Sequence, residues 1–242
     1  MHEQQDYAKE TLAYIRQTGQ NVAVGAGTRQ SHLLTSQTLL SACPLLSEAA
    51  TFIGSPATRN RGTMGGSIAH ADPAAELPMA AVALDAQLVL RSVRGERTVP
   101  ATQFFVSYFT TALEPGELLT EVRFPSLGPG TGWGFQEVTR VHGGFPVVAV
   151  AAVVTLDRQG WCQQASVALG GVGGTPVRAA LVEQAITDAR PTPDVLAHAA
   201  ELVKLEIEPE SDVHASAEYR RHVASVLTRR ALQAAVDCAR SL

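Results

Sequence analysis

Cysteine is scarce in this sequence of 242 residues, and its three copies lie far apart. Cys43, Cys162 and Cys238 form no Cys-x-x-Cys pair. Three separated thiols build no disulfide framework, and they do not supply the ligand set of a zinc site or of an iron–sulfur cluster. We therefore expect no metal site in this chain. Any iron–sulfur chemistry linked to it has to be carried by another chain.

The sequence also lacks a sustained basic run, a long apolar run and a leader sequence. A net charge of −4 without a basic stretch argues against a nucleic-acid partner. The longest apolar stretch, residues 145–156, is too short for a membrane span and is rich in Val and Ala, which favours a buried strand. The amino terminus has neither the charged nor the apolar region of a secretory signal, so we expect a cytoplasmic protein.

What the sequence does contain is 45% hydrophobic residues, enough for the core of one large or two small domains. Strand and helix patterns do not alternate regularly, so we expect an α+β fold rather than a doubly wound sheet. The Gly- and Pro-rich segment 126–132 predicts a domain boundary. Before it we predict a helix over 6–20, a strand over 21–27, helices over 44–50 and 74–84, a hairpin over 87–99 and a strand over 118–124. After it we predict strands over 133–139, 146–156 and 165–169 and helices over 177–189 (capped by Thr175), 193–205 and 217–239, with Arg220 on the polar face of the last.

The most distinctive stretch runs from Thr58 to Pro78. Gly62, Gly65 and Gly66 lie there within five residues, between a basic arm and an Ala-rich run that predicts a helix. A backbone without Cβ atoms lets a phosphate or ribityl chain come close, and amide N–H groups ahead of a helix donate hydrogen bonds to it. By spacing alone, a tight structural turn explains the glycines better than a cofactor loop. The segment matches neither the dinucleotide fingerprint nor the P-loop.

The full sequence of this stretch favours the cofactor loop over the structural turn. Residues 59–67, Arg-Asn-Arg-Gly-Thr-Met-Gly-Gly-Ser, followed by residues 70–78, closely resemble the second flavin-binding loop of the FAD-carrying medium subunits of molybdenum hydroxylases. That family includes the medium subunits of carbon monoxide dehydrogenase, xanthine dehydrogenase and N-heterocycle dehydrogenases. The resemblance continues in order through residues 22–30, 113–125, 134–140, 168–178, 217–221 and 227–231. Agreement at so many ordered places indicates membership of the family.

The resemblance implies two domains. Residues 1–125 correspond to an FAD-binding domain of the PCMH type, truncated to its second subdomain, and residues 131–242 to a C-terminal domain of the CO dehydrogenase flavoprotein type, an antiparallel sheet with helices. Family members begin with a further α/β subdomain that carries a first Gly-rich loop of Ala-Gly-Gly-x-Ser type, and nothing here matches that loop. We therefore expect weakened FAD binding, in a truncated chain or in a divergent subunit.

The resemblance also implies a cofactor site but no catalytic residue. In relatives, the positions matching Thr63–Ser67 contact the FAD phosphates and ribityl chain. The position matching Glu76 contacts the polyol portion of the cofactor. Relatives often have Asn at Ser67 and Lys at or beside Gln136. Ile53, Leu119 and Phe145 suit a hydrophobic core equally well, and His70 with Asp72 is expected to support the loop. The predicted cofactor-binding residues are Ile53, Arg61, Gly62, Thr63, Met64, Gly65, Gly66, Ser67, Asp72, Glu76, Leu119, Gln136 and Phe145.

The function implied by the resemblance is electron relay in an oxidoreductase complex. A large molybdenum subunit hydroxylates the substrate, a small subunit with [2Fe-2S] clusters passes the electrons on, and FAD on this chain delivers them to an external acceptor. We expect a dimer of heterotrimers. An alternative is a flavin-deficient assembly subunit of the same complex. An independent FAD enzyme is disfavoured, because the C-terminal match is specific to the hydroxylase subunits.

Overall fold

The computed structural model describes residues 12–141 and 143–242. Its first half is built on an antiparallel sheet of five strands, in the order β1-β2-β7-β3-β4. These strands are β1 (Ile15–Thr18), β2 (Asn21–Gly25), β3 (Gln87–Ser92), β4 (Gly95–Pro100) and β7 (Leu118–Pro125), and β5 (Phe105–Ser107) and β6 (Thr110–Thr111) form a separate hairpin. The helices are α1 (Gln30–Thr35), α2 (Gln37–Ala42), α3 (Pro44–Phe52), α4 (Pro56–Arg61), α5 (Met64–His70), α6 (Glu76–Ala83) and α7 (Ala101–Phe104).

The second half is a four-stranded antiparallel sheet covered by helices. Its strands are β8 (Thr131–Thr139), β9 (Pro146–Leu156), β10 (Cys162–Gly170) and β11 (Val177–Arg178), in the order β11-β10-β9-β8. Helices α8 (Ala180–Ile186), α9 (Pro193–Leu202) and α10 (Ala217–Ser241) follow, with a short 3-10 turn over Val203–Leu205. Together, the two halves confirm the expected α+β fold.

The two faces of the second sheet bury different surfaces. On one face, Phe135 pairs with Ala151, and both belong to the core of the first half, where Phe135 also packs on Phe52 of α3 at 4.7 Å between ring centroids. On the other face, Val150 belongs to the core formed with α10. Side chains of a strand alternate between the faces, so each position in β8 has a defined side.

Helix α10 lies directly on β8 because two glycines leave room for it. A Cβ on Gly132 would come within 2.9 Å of the Ala239 Cα and would overlap the carbonyl oxygen of Ala235. At Gly134 a Cβ would come within 2.9 Å of the Ala234 Cβ. At Gly132 the close approach is made by main-chain atoms of the helix, which cannot move aside as a side-chain tip can.

We expect Gly132→Ala to lower the free energy of unfolding by about 3 kcal/mol, because overpacking forces the helix off the sheet. Gly128→Ala is the matched control. No atom lies within 4 Å of a Cβ at that position, so a change within about 0.5 kcal/mol is expected. Urea unfolding followed by circular dichroism compares the two variants, and equal effects would contradict the packing argument.

Three predictions from the sequence need correction. Of the predicted helix 6–20, residues 6–11 lie outside the described residues, and Ile15–Thr18 is a strand because it pairs with β2. The helix predicted over 177–189 begins only at Ala180, since residues 177–178 pair with β10. Arg220 is 7% exposed instead of lying on the polar face of α10.

None of the helices in the described ranges is long and apolar enough to cross a membrane.

Candidate functional site

The Gly-rich segment, residues 61–67, lies flat against the end of strand β2. The amide of Met64 donates to the carbonyl oxygen of Thr28, and the amide of Gly65 donates to that of Ala26, both at 2.8 Å. A Cβ on Gly65 would come within 2.9 Å of the Ala26 Cα, so this glycine is required by packing. These two amides are therefore not available to a ligand. Fewer of the main-chain donors expected from Thr63–Ser67 remain to bind a phosphate group.

The outer side of the segment is open. Gly66 is exposed, and Thr63 and Ser67 are half-buried. The Thr63 hydroxyl oxygen accepts a hydrogen bond from the Gly66 amide at 3.0 Å and thereby caps α5. Within the described ranges, neither the Thr63 amide nor the Ser67 hydroxyl donates to another protein group. The donors that the segment offers to a ligand are thus the Thr63 amide and the hydroxyl groups of Thr63 and Ser67.

Arg29 and Gln30, beside the segment, hold its backbone in place. The Arg29 guanidinium donates to the carbonyl oxygen of Arg61, and the Gln30 amide donates to that of Gly62 at 3.0 Å. The Arg61 side chain is exposed at the edge of the segment. A cation in that position favours an anion on the outer face.

The turn before α6 presents two carboxyl groups. Asp72 accepts a hydrogen bond from the Ala74 amide at 2.9 Å and so shapes the turn. Glu76 is 5% exposed, and burial raises the pKa of its carboxyl group to about 7, with a further upward contribution from the charge of Asp72. Its own main-chain amide is the only hydrogen-bond donor to it within the described ranges.

A buried carboxyl group costs stability unless hydrogen-bond partners satisfy it. Glu76 makes no salt bridge and no side-chain hydrogen bond to another described residue. A ligand hydroxyl group is a suitable hydrogen-bond donor for this carboxyl group. Glu76 is thus the feature of this site that fits the polyol chain of a flavin cofactor.

The apolar residues predicted around the cofactor occupy different environments. Ile53 and Leu119 are each 8% exposed and belong to the core of the first half. The Ile53 carbonyl oxygen accepts a hydrogen bond from Arg59 at 2.6 Å, which fixes the turn after α3. Phe145 is 65% exposed and lies two residues after Gly143, where an added Cβ would come within 3.1 Å of the Gly54 main chain. The Ile53 turn and the Phe145 loop are therefore neighbours across the two halves.

Gln136 lies on the α10 face of β8, and its assignment to the cofactor stays a prediction. Gln136 pairs with Val150 and shares the α10 face of β8, whereas Glu137 pairs with Ala149 on the face of Phe135. Trp133, Phe135 and Glu137 alternate along β8, and this alternation predicts one inward face for all three. Residue 137, not residue 136, faces the first half.

A cavity of about 490 Å³ opens between the two halves beside Phe145. Its walls include Pro73 and Tyr108 from the first half and Gly171, Asp212 and Arg220 from the second. Arg220 donates to the carbonyl oxygens of Val147 and Gly171 and to the Asp212 carboxylate at 2.7 Å, while its buried Nε has no partner within the described ranges.

Two family models match this chain. Residues 10–127 match the FAD-binding domain in molybdopterin dehydrogenase, and residues 133–235 match the CO dehydrogenase flavoprotein C-terminal domain. The chain belongs to the family of FAD-binding medium subunits of molybdenum hydroxylases, a family of oxidoreductases. The resemblance read from the sequence is thereby confirmed.

Individual relatives are similar over nearly the whole chain. Subunit alpha of the 6-hydroxypseudooxynicotine dehydrogenase complex of Paenarthrobacter nicotinovorans is 42% identical, over 95% of this chain and 77% of the relative. The carbon monoxide dehydrogenase medium chain of Hydrogenophaga pseudoflava is 35% identical, over 93% of this chain and 78% of the relative. A solved structure of carbon monoxide dehydrogenase from that organism, lacking the Mo-pyranopterin moiety, superposes with a TM-score of 0.91 at 36% identity, covering 93% of this chain and 78% of that chain. The structure of quinoline 2-oxidoreductase from Pseudomonas putida 86 superposes with a TM-score of 0.89 at 33% identity, covering 95% of this chain and 80% of that chain.

Proposed function

We propose that this chain binds FAD along the outer face of the Gly-rich segment and relays electrons through it to an external acceptor. The observation that carries the proposal is Glu76, a carboxyl group 5% exposed that no other described side chain satisfies. The family to which the chain belongs supports the choice of FAD as the ligand.

FAD, when bound, supplies the redox chemistry, and the protein supplies binding and orientation. The Thr63 amide and the Ser67 hydroxyl donate hydrogen bonds to the charged tail, and Arg61 adds a favourable charge. Glu76 accepts a hydrogen bond from a hydroxyl group of the ribityl chain. Ile53 and Leu119, both in the core of the first half, would supply apolar contacts to the ring system.

The cavity beside Phe145 is the place that we propose for the acceptor. Its aromatic wall, formed by Phe145 and Tyr108, suits a planar molecule. Among the positively charged residues that line the cavity, only Arg220 is buried. Its guanidinium group already donates hydrogen bonds to main-chain carbonyl oxygens.

The chain functions within a larger assembly in this proposal. A large molybdenum subunit and a small subunit with [2Fe-2S] clusters deliver the electrons, in a dimer of heterotrimers in the cytoplasm. Support comes from relatives named as the medium chains or subunits of dehydrogenase complexes.

The test is the flavin content of the chain, co-expressed with large and small subunits and purified as a complex. We expect about one FAD per chain, released by acid and measured by fluorescence, and bleaching of its absorption when the complex is reduced. A complex that assembles without flavin would contradict electron relay and support the flavin-deficient assembly subunit.

A further inference from the structure

The cavity between the two halves combines aromatic and polar residues in its wall. Its volume of about 490 Å³ lies in the range of small-molecule sites. Tyr108 and Phe145 both line it, although 46% and 65% of their surfaces are exposed. The Tyr108 ring packs against the main chain at Gly174, where an added Cβ would come within 3.0 Å of the ring. Two exposed aromatic rings in the wall of one cavity favour a planar ligand.

Three polar side chains of the wall have hydrogen-bond donors without an acceptor within the described ranges. The Ser211 hydroxyl oxygen accepts a hydrogen bond from the Ala217 amide at 2.8 Å, and its hydrogen atom remains to be donated. Arg140 donates to the carbonyl oxygen of Val213 at 3.3 Å, which leaves most of its N–H groups without a partner. The Tyr108 hydroxyl group makes no hydrogen bond to a described residue.

The charged groups of the wall are only partly neutralised. Asp212 pairs with Arg220 at 2.7 Å and also accepts a hydrogen bond from the His214 amide at 2.8 Å. Arg140 and Glu210 form no salt bridge with a described residue. A neutral His214 ring adds one donor and one acceptor, so it does not alter the balance. The donors without a partner thus outnumber the single unpaired carboxylate, which favours an acidic group on the ligand.

We propose that this cavity binds a planar aromatic compound that carries an acidic group. The ring of the ligand contacts Tyr108 and Phe145, and its acidic group accepts hydrogen bonds from Arg140 and Ser211. Arginine suits this role because its planar guanidinium group binds carboxylate and related anions through paired N–H groups. Only the redox role of the ligand rests on the proposed function: if that function holds, the acceptor belongs to this class of compound.

The test is calorimetric titration of the full chain, without flavin, with 2-naphthoate and with 2-naphthamide. The two probes have the same ring system and nearly the same size, but only the first is charged. We expect 2-naphthoate to bind at least about tenfold more tightly, as expected for one charge-assisted hydrogen bond. Equal affinities, or no binding of 2-naphthoate, would overturn the inference.

Two substitutions in the wall are expected to act on 2-naphthoate in opposite directions. Arg140→Gln should weaken its binding about tenfold because the positive charge is lost, and Glu210→Gln should strengthen it about threefold because a repulsion is removed. Neither should change the affinity for 2-naphthamide by more than about twofold. Arg158→Gln is the matched control, since Arg158 is exposed and lies beyond the end of β9 that is remote from the cavity. An Arg140→Gln effect no larger than that of the control would contradict the proposed ligand.

Saturation with FAD separates this cavity from the flavin site. We expect the affinity for 2-naphthoate to change by no more than about threefold when FAD is bound. Displacement of the probe by FAD would mean that the two share one site, and would overturn the inference. A chain that binds 2-naphthoate through Arg140 but takes up no FAD would support the ligand class and contradict the proposed function. A chain that binds FAD but not 2-naphthoate would do the reverse.

Discussion

Ser67→Asp is expected to lower the affinity of the chain for FAD about 100-fold, equivalent to about 2.7 kcal/mol. Ser67 is half-buried on the open side of the Gly-rich segment, and its hydroxyl donates to no described protein group. A carboxylate there replaces a donor and repels the phosphates. At an effective dielectric constant of about 20, two like charges about 5 Å apart repel by roughly 3 kcal/mol. Titration of the full chain with FAD, followed by flavin fluorescence, measures the effect.

Ser67→Asn is the matched control because it has nearly the same shape as Ser67→Asp and carries no charge. Its amide group donates a hydrogen bond in place of the hydroxyl, so affinity within about threefold of the wild type is expected. Circular dichroism should show both variants folded, since an acidic side chain near the start of a helix is tolerated. If both variants bound FAD equally well, the phosphates would lie elsewhere.

Arg220→Ala is expected to lower the free energy of unfolding by about 3–5 kcal/mol. The Arg220 side chain is buried and ties α10 to the carbonyl oxygens of Val147 and Gly171 and to Asp212. Truncation leaves two carbonyl oxygens without a donor and opens a void beside the cavity. Urea unfolding at neutral pH gives the difference.

The adjacent Arg221 is the control, because it is exposed and lies on the same helix. Arg221→Ala should change the free energy of unfolding by no more than about 0.5 kcal/mol. Equal effects of the two substitutions would mean that the loss comes from helix charge and not from the buried hydrogen bonds.

Local patterns predicted those elements whose burial is regular along the chain. Strand β9 is an apolar run, and all eight residues of α6 are buried. The strand Ile15–Thr18 was missed because it forms by pairing with β2. A helical hydrophobic pattern carries no information on such pairing. Arg220 was assigned to the surface because its partners lie 73 and 49 residues away. Local amphipathicity carries no information on such contacts.

The site was predictable to the level of the segment but not of the individual atoms. Gly65 and Gly66 are equivalent in the sequence, yet the first packs on Ala26 and the second is exposed. The structural turn therefore accounts for Gly65, and the ligand loop stays a prediction for the exposed side of the segment. Gln136 and Glu137 are adjacent, and only the register of β8 with β9 decides which of them faces the first half.

The central claim is that the outer face of residues 61–67 and Glu76 hold the tail of FAD. The most direct measurement compares the dissociation constants of FAD and riboflavin for the full chain under the same conditions. Riboflavin has the ring system and the ribityl chain but no phosphates. The account predicts that FAD binds at least about 100-fold more tightly, as expected for two charge-assisted hydrogen bonds, and that Ser67→Asp removes most of this difference. Equal affinities for the two compounds in the wild type would contradict it.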